Sequence, residues 1–296
     1  MAGPRGVGKR QFALALAQAV NCLRPEDGDA CGECAACRKV AASNHIDVEM
    51  FSPDGQFIKI GQMREMTEKA QFRPYDGRRR VYIIDQADRL NQQAANSILK
   101  VLEEPPETTL LVLVTSKPYA LLETIRSRCQ ILSFAPLTPD ELESYLKANY
   151  KRPIEETRML ARLARGSIGR ALEIDLGVYR EERRLMLEII ESLALARDTL
   201  KLMGAAEHLG RKLEKNEFEN HLDTLMVLFE DLFHLKLGEP ASSLTNADIA
   251  ERLERIADAV TVEMITGWAA NVEAVLQGLP RNVNRQLAME AMLLAK

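Results

Sequence analysis

Gly3-Pro4-Arg5-Gly6-Val7-Gly8-Lys9-Arg10 matches the pattern G-x-x-x-x-G-K. Glycines at this spacing let backbone N–H groups turn inward around phosphate oxygens. The Lys ammonium neutralises the outer phosphates, and the helix that follows presents its positive end. A glycine-rich turn before a helix would explain this stretch alone. A second stretch argues for more: Val81-Tyr82-Ile83-Ile84-Asp85 is an apolar strand ending in an acid, the position from which an Asp helps hold Mg²⁺ at a nucleotide. Together the two predict an α/β domain built around a phosphate loop.

The pattern extends outward from these two stretches. Leu110 to Val114 and Gln130 to Phe134 read as further strands. Arg10 to Cys22 is Ala/Leu-rich without a breaker, Ile60 to Gln71 is amphipathic, and Asn91 to Glu104 stops at Pro105-Pro106, which cannot continue a helix. Strands alternating with helices predict a largely parallel sheet covered on both faces. After Leu137 the strand signal ends. Thr138-Pro139-Asp140-Glu141 is a helix start, with a capping hydroxyl, an early Pro and acids in the first turn. A helix from Ile154 to Arg165 stops at Gly166, and Ser167 caps a short one through Leu172. Longer amphipathic helices follow, with breaks expected near Gly204, Gly238-Glu239-Pro240 and Gly278-Leu279-Pro280. The expected organisation is an α/β domain over 1–135, a small helical domain over 136–176 and a helical bundle over 177–296.

Three features depart from a working nucleotide site. The residue after Lys9 should carry a Mg²⁺-binding hydroxyl; it is Arg10, which would repel a cation. The residue after Asp85 should be an acid that polarises water; it is Gln86, which cannot act as a base. Each change is expected to cripple hydrolysis, leaving ATP or ADP weakly bound or absent. A phosphate loop also follows a strand, yet only Met1-Ala2 precedes Gly3. The expectation is that this strand is missing, because translation starts upstream or the chain was cut.

Cys22, Cys31, Cys34 and Cys37 are spaced C-x8-C-x2-C-x2-C. Four thiolates this close in sequence can close a tetrahedral shell, each C-x2-C step turning tightly around one ion. Ligand type and spacing favour structural zinc over a redox pair or an iron–sulfur cluster. His45 reads as an ordinary polar residue, and Cys129 stands apart.

The 296 residues carry 39 Lys+Arg against 43 Asp+Glu, a net charge of -4. Nucleic acid held by bulk charge alone is thereby disfavoured. No apolar run is long enough to cross a bilayer and the N-terminus has no signal core, so a cytoplasmic, membrane-free protein is expected. Thr115, at the end of a strand, either senses phosphate or caps the next turn. Arg170, in Gly166-Ser167-Ile168-Gly169-Arg170-Ala171, either reaches a nucleotide or is solvated. Arg78-Arg79-Arg80, with Lys69 and Arg73, reads first as a solvated turn and second as a nucleic-acid contact.

These motifs resemble the bacterial clamp-loader ATPase family of the AAA+ class. The resemblance is carried by Gly3 to Lys9, the four Cys, Ile60 to Met66, Gln71 to Tyr75, Val81 to Leu90, Leu99 to Pro106, Ser127-Arg128-Cys129 and Gly166 to Leu172, and more weakly by the ending Arg281-Asn282-Val283-Asn284. It implies a P-loop AAA+ α/β domain containing a zinc module over 22–37, then a helical lid and an all-α collar. It further implies a subunit of a five-membered open ring with gamma/tau and delta subunits, which loads a sliding clamp onto primed DNA. Arg10 and Gln86 match a member whose own site is a rigid remnant contacted by Gly3, Gly6, Gly8, Lys9, Arg10, Asp85, Thr115 and Arg170. Arg128 of the Ser-Arg-Cys corner would enter the ATP site of the adjacent gamma/tau subunit as a finger. Two alternatives stand beside this reading: an active gamma/tau-like ATPase, and a zinc-containing nucleic-acid adaptor.

Overall fold

A computed structural model describes residues 1–196, 198–279 and 284–294. Arg281 to Val283 of the expected ending lie outside the described residues. The chain divides into two compact units, one formed by 1–142 with 165–172, the other by 143–164 with 173–296.

The first unit is built on three parallel strands in the order β1-β2-β3: β1 (Val48–Phe51), β2 (Arg80–Ile84) and β3 (Thr109–Leu113). From Val81 to Ile84 β2 is buried and largely apolar because both its faces are covered. Val81 and Ile83 pack with Ala13 and Ala17 of α1 (Lys9–Asn21) and Val40 of α2 (Ala35–Ala41). Tyr82 and Ile84 point the other way, onto Met63 and Met66 of α3 (Ile60–Ala70) and Ala94, Ile98 and Val101 of α4 (Gln92–Glu103). Asn91 caps α4 by accepting the Ala94 N–H at 2.8 Å.

The sheet corrects one expectation, the strand over Gln130 to Phe134. The place of the feeding strand is held by Met1 and Ala2: Ala2 forms parallel bridges to Thr115 on one side and Ser133 on the other. Met1 N donates to the Leu113 carbonyl at 2.7 Å, and Thr115 N to the Met1 carbonyl at 3.0 Å. Gln130 to Phe134, read as a strand, pairs only at this bridge, through Ala2 N to Leu132 O at 2.9 Å and Phe134 N to Ala2 O at 2.7 Å. A ladder needs a facing partner, and only these two residues supply one, so Ile131 and Leu132 remain exposed. β1 is the converse case, a strand that sequence patterning did not separate from its surroundings.

After β3 come α5 (Glu123–Arg126) and the start of α6 (Pro139–Asn149). Thr138 supplies the expected capping hydroxyl, and Glu141 makes the cap reciprocal: Glu141 Oε2 accepts from Thr138 N at 2.8 Å, and Thr138 Oγ1 from Glu141 N at 3.3 Å. α8 (Ile168–Glu173) belongs to this unit up to Leu172.

The second unit contains α7 (Ile154–Leu163), α9 (Leu176–Glu191), α10 (Thr199–Glu207), α11 (Lys215–Lys236), α12 (Ala250–Ala259), α13 (Val262–Gly278) and α14 (Arg285–Leu294). Its core runs from Met186 and Ile190 through Phe218, Leu222 and Leu228 to Leu253, Ile256, Val272 and Met289. The expected break at Gly204 does not occur: Gly204 lies inside α10. The break falls after it, where a π-helical turn (His208–Lys212) carries Gly210 against Gln286 so closely that a Cβ would stand 2.5 Å from the Gln286 Cα. The breaks expected after α11 and α13 occur at Leu237 and Leu279.

Candidate functional site

The phosphate loop enters α1 without an acid in its first turn, and Gly8 takes the cap position at φ 91°. Lys9 is buried, and its ammonium donates to two carbonyl oxygens of the loop itself, Gly3 at 2.7 Å and Pro4 at 2.5 Å. Burial lowers its pKa, while Asp85 and Asp88 pull it the other way. Lys9 is therefore near both acids of the second motif. Arg10 is exposed.

Gly6 explains why the loop is closed. Its φ of 74° favours glycine, and a Cβ there would stand 2.1 Å from Ser167 Oγ. Gly169 N donates to the Gly6 carbonyl at 3.0 Å, and a Cβ on Gly169 would stand 3.1 Å from the Gly6 Cα. Ser167 in turn accepts the Arg170 N–H at 3.1 Å, which is the cap expected for α8. The segment Ser167 to Gly169 thus lies directly on the phosphate loop. Sequence reading assigned Ser167 only its local capping role. The glycine pairing of residues 6 and 169 has no local signal, because it joins segments far apart in the chain.

The neighbouring motif residues are bound into the fold. Asp85 accepts the Gln86 N–H at 3.0 Å, and Gln86 sits in the left-handed region at φ 51°. Thr115 is buried and donates to Asp88 at 2.6 Å, while its oxygen accepts the Lys117 N–H at 2.9 Å. Of the two roles open to Thr115, the local one is satisfied. Arg170 is exposed and is not without a partner.

Arg128 lies at the corner after α5, and its side chain is 36% exposed. Nη1 donates to the Thr124 carbonyl at 3.0 Å and to Ser127 Oγ at 3.4 Å, and Nη2 stands 2.8 Å from the Glu103 carboxylate at the end of α4. The basic run divides. Arg80 bonds the Arg73 and Lys69 carbonyls and faces Asp47 at 3.5 Å. Lys69 pairs with Glu49 and Glu65. Arg73, Arg78 and Arg79 are exposed.

The four cysteines meet. The sulfurs of Cys22, Cys31, Cys34 and Cys37 all lie within 4.8 Å of one another, and three of the residues are buried. Sulfurs around one tetrahedral zinc stand about 3.8 Å apart, so the cluster fits a single ion. Backbone N–H groups point at the sulfurs: Cys31 N to Cys22, Cys34 N to Cys31 and Cys37 N to Cys34, at 3.3 to 3.4 Å. Such donors favour thiolate; the Cys37 amide brings the Cys34 thiol down to about 6, while burial pushes Cys37 up to about 12. His45 is buried and accepts the Asp47 N–H at 3.2 Å, outside the cluster.

A family profile described as DNA polymerase III, delta subunit, matches residues 1–138, and one described as its C terminal part matches 182–296. The chain is 31% identical to DNA polymerase III subunit delta' of Bacillus subtilis, over 99% of this chain and 88% of that protein. The chain belongs to the delta' family of DNA polymerase III subunits. The delta' subunit of Pseudomonas aeruginosa is 30% identical over 98% of this chain and 88% of its own length. Similarity also extends to the gamma/tau subunit of Mycoplasma pneumoniae, 34% identical over 64% of this chain and 29% of that protein. As a delta' family member, the chain has a parallel-sheet domain followed by helical structure, with Gly3 to Lys9 directly after the Ala2 bridges to Thr115 and Ser133.

Proposed function

We propose that this protein is a non-hydrolysing delta' subunit of the DNA polymerase III clamp loader. In this reading it helps load the sliding clamp onto primed DNA and supplies Arg128 to the ATP site of an adjacent gamma/tau subunit. The observation that carries the reading is the closed phosphate loop: Lys9 is taken up by the Gly3 and Pro4 carbonyls, and Ser167 lies on Gly6. Arg10 and Gln86 supply neither a Mg²⁺ ligand nor a base. The loop then serves as a rigid joint, not as a catalyst.

The remaining roles follow from this reading. Residues 136–176 act as the lid and 177–296 as the collar that joins the gamma/tau and delta subunits. Zinc in the four-Cys cluster is structural, since four thiolates leave no open position for water. DNA and clamp are met through the assembled ring, in the cytoplasm. No helix among the described residues is long and apolar enough to cross a membrane.

Similarity to gamma/tau subunits motivates a second reading, an active ATPase. It needs a base and a metal ligand from elsewhere, and the two acids open to it are engaged: Asp88 with Thr115 and Glu103 with Arg128. Steady-state ATPase of the isolated chain separates the readings. The expected rate equals that of a buffer control for wild type and Lys9→Ala alike. Turnover that Lys9→Ala abolishes would favour the active enzyme.

A further inference from the structure

Glu103 ends α4 immediately before Glu104 and Pro105, so its carboxylate sits at the negative end of a helix. A negative charge there opposes the helix dipole. Its ion-pair partner is Arg128 at 2.8 Å, from the corner after α5. The Arg128 guanidinium is thus held from two elements: by the Thr124 carbonyl and Ser127 Oγ at Nη1, and by the Glu103 charge beside Nη2. Nη1 and Nη2 are thus both engaged, and Nε has no partner among the described residues. An arginine side chain held at two nitrogens by its own chain has little rotamer freedom left to lose.

We propose that Glu103 is a positioning residue for Arg128. It holds the guanidinium in place from its own subunit, at an exposed corner, before a phosphate oxyanion of a neighbouring nucleotide arrives. The proposal rests on the trans role of Arg128. An unanchored arginine would have to lose its side-chain freedom when it engages the phosphate, whereas an anchored one has already lost it.

The test is ATP hydrolysis by the ring reconstituted from this chain and its gamma/tau and delta subunits, with clamp and primed DNA present. Glu103→Ala should lower kcat about two- to fivefold with KM for ATP unchanged, the scale of one partly exposed ion pair. Glu103→Asp should restore most of the loss. Glu103→Ala added to Arg128→Ala should cost nothing further, since a positioning residue acts only through the group it positions. Thermal melting of the isolated variants checks that they fold as wild type does. If Arg128→Ala slows the ring while Glu103→Ala leaves it unchanged or speeds it, Glu103 does not position the arginine. If Arg128→Ala itself has no effect, the trans role fails and this assignment fails with it.

Discussion

Asp47 organises a loop that its own neighbourhood in the sequence does not announce. Its carboxylate is shielded and accepts three backbone N–H groups, from Tyr75 at 2.8 Å, Asp76 at 2.7 Å and Gly77 at 2.8 Å. Asn21, at the end of α1, does the same for Arg78 and Arg79, both at 2.9 Å. Burial alone would push the Asp47 carboxyl up, but the three donors and Arg80 outweigh it and hold the group below its ordinary 3.8. A depressed folded value means the stabilisation is complete above the unfolded value and is lost as pH falls through the folded one. Asp47→Asn turns an amide toward converging N–H donors, at an expected cost of about 2–3 kcal/mol. Calorimetry at pH 7 should show a melting point about 5–10 °C lower. The difference from wild type should shrink as pH falls below the ordinary 3.8 and through the depressed folded value, where the wild-type carboxyl protonates. Equal melting at pH 7 would mean the loop is held by other contacts. Asp47 was illegible in advance because no motif marks it and its partners lie about thirty residues further on. Lys9, Arg10 and Gln86 were legible because their chemistry depends on motif position.

Elements were legible where periodicity and caps agreed. Asn91 before α4, Thr138 with Glu141 before α6, and Ser167 before α8 each place a side-chain acceptor at a helix start. Strands fared worse, because a strand is settled by its neighbour. β1 has only four residues, including Glu49, and is fixed by pairing with Val81 to Ile84. Gln130 to Phe134 has the composition of a strand but a two-residue partner. The cysteine module was legible as a ligand set, since spacing alone brings four thiols together. Its apolar content is slight, little more than the cysteines with Ala30 and Ala36. Metal removal should therefore open it locally. A chelator at neutral pH is expected to expose the four thiols to titration and to admit protease cleavage between Cys22 and Cys37, both reversed by added zinc. Protons compete for thiolates, so less chelator should suffice as pH falls. Thiols that stay unreactive and a module that stays uncut after metal analysis reads zero would contradict the assignment.

Across the whole molecule, two features separate a structural subunit from a motor. The phosphate loop is satisfied internally, by Gly3, Pro4 and the Ser167–Gly169 segment. The corner after α5 leaves Arg128 partly exposed, held by Thr124, Ser127 and Glu103. A net charge of -4 suits contact with other subunits better than contact with DNA by the chain alone. The fold class followed from two motifs. The closure of the loop did not, since it depends on a contact between residue 6 and residue 169 that only the folded chain creates. In the proposed function, the chemistry this subunit serves takes place in its neighbour's site. The most direct measurement is nucleotide hydrolysis at the adjacent gamma/tau site of the reconstituted ring with Arg128→Ala. A loss there on the order of 10³-fold is expected, with ring assembly intact by gel filtration. An assembled ring that hydrolyses ATP at the wild-type rate would contradict it.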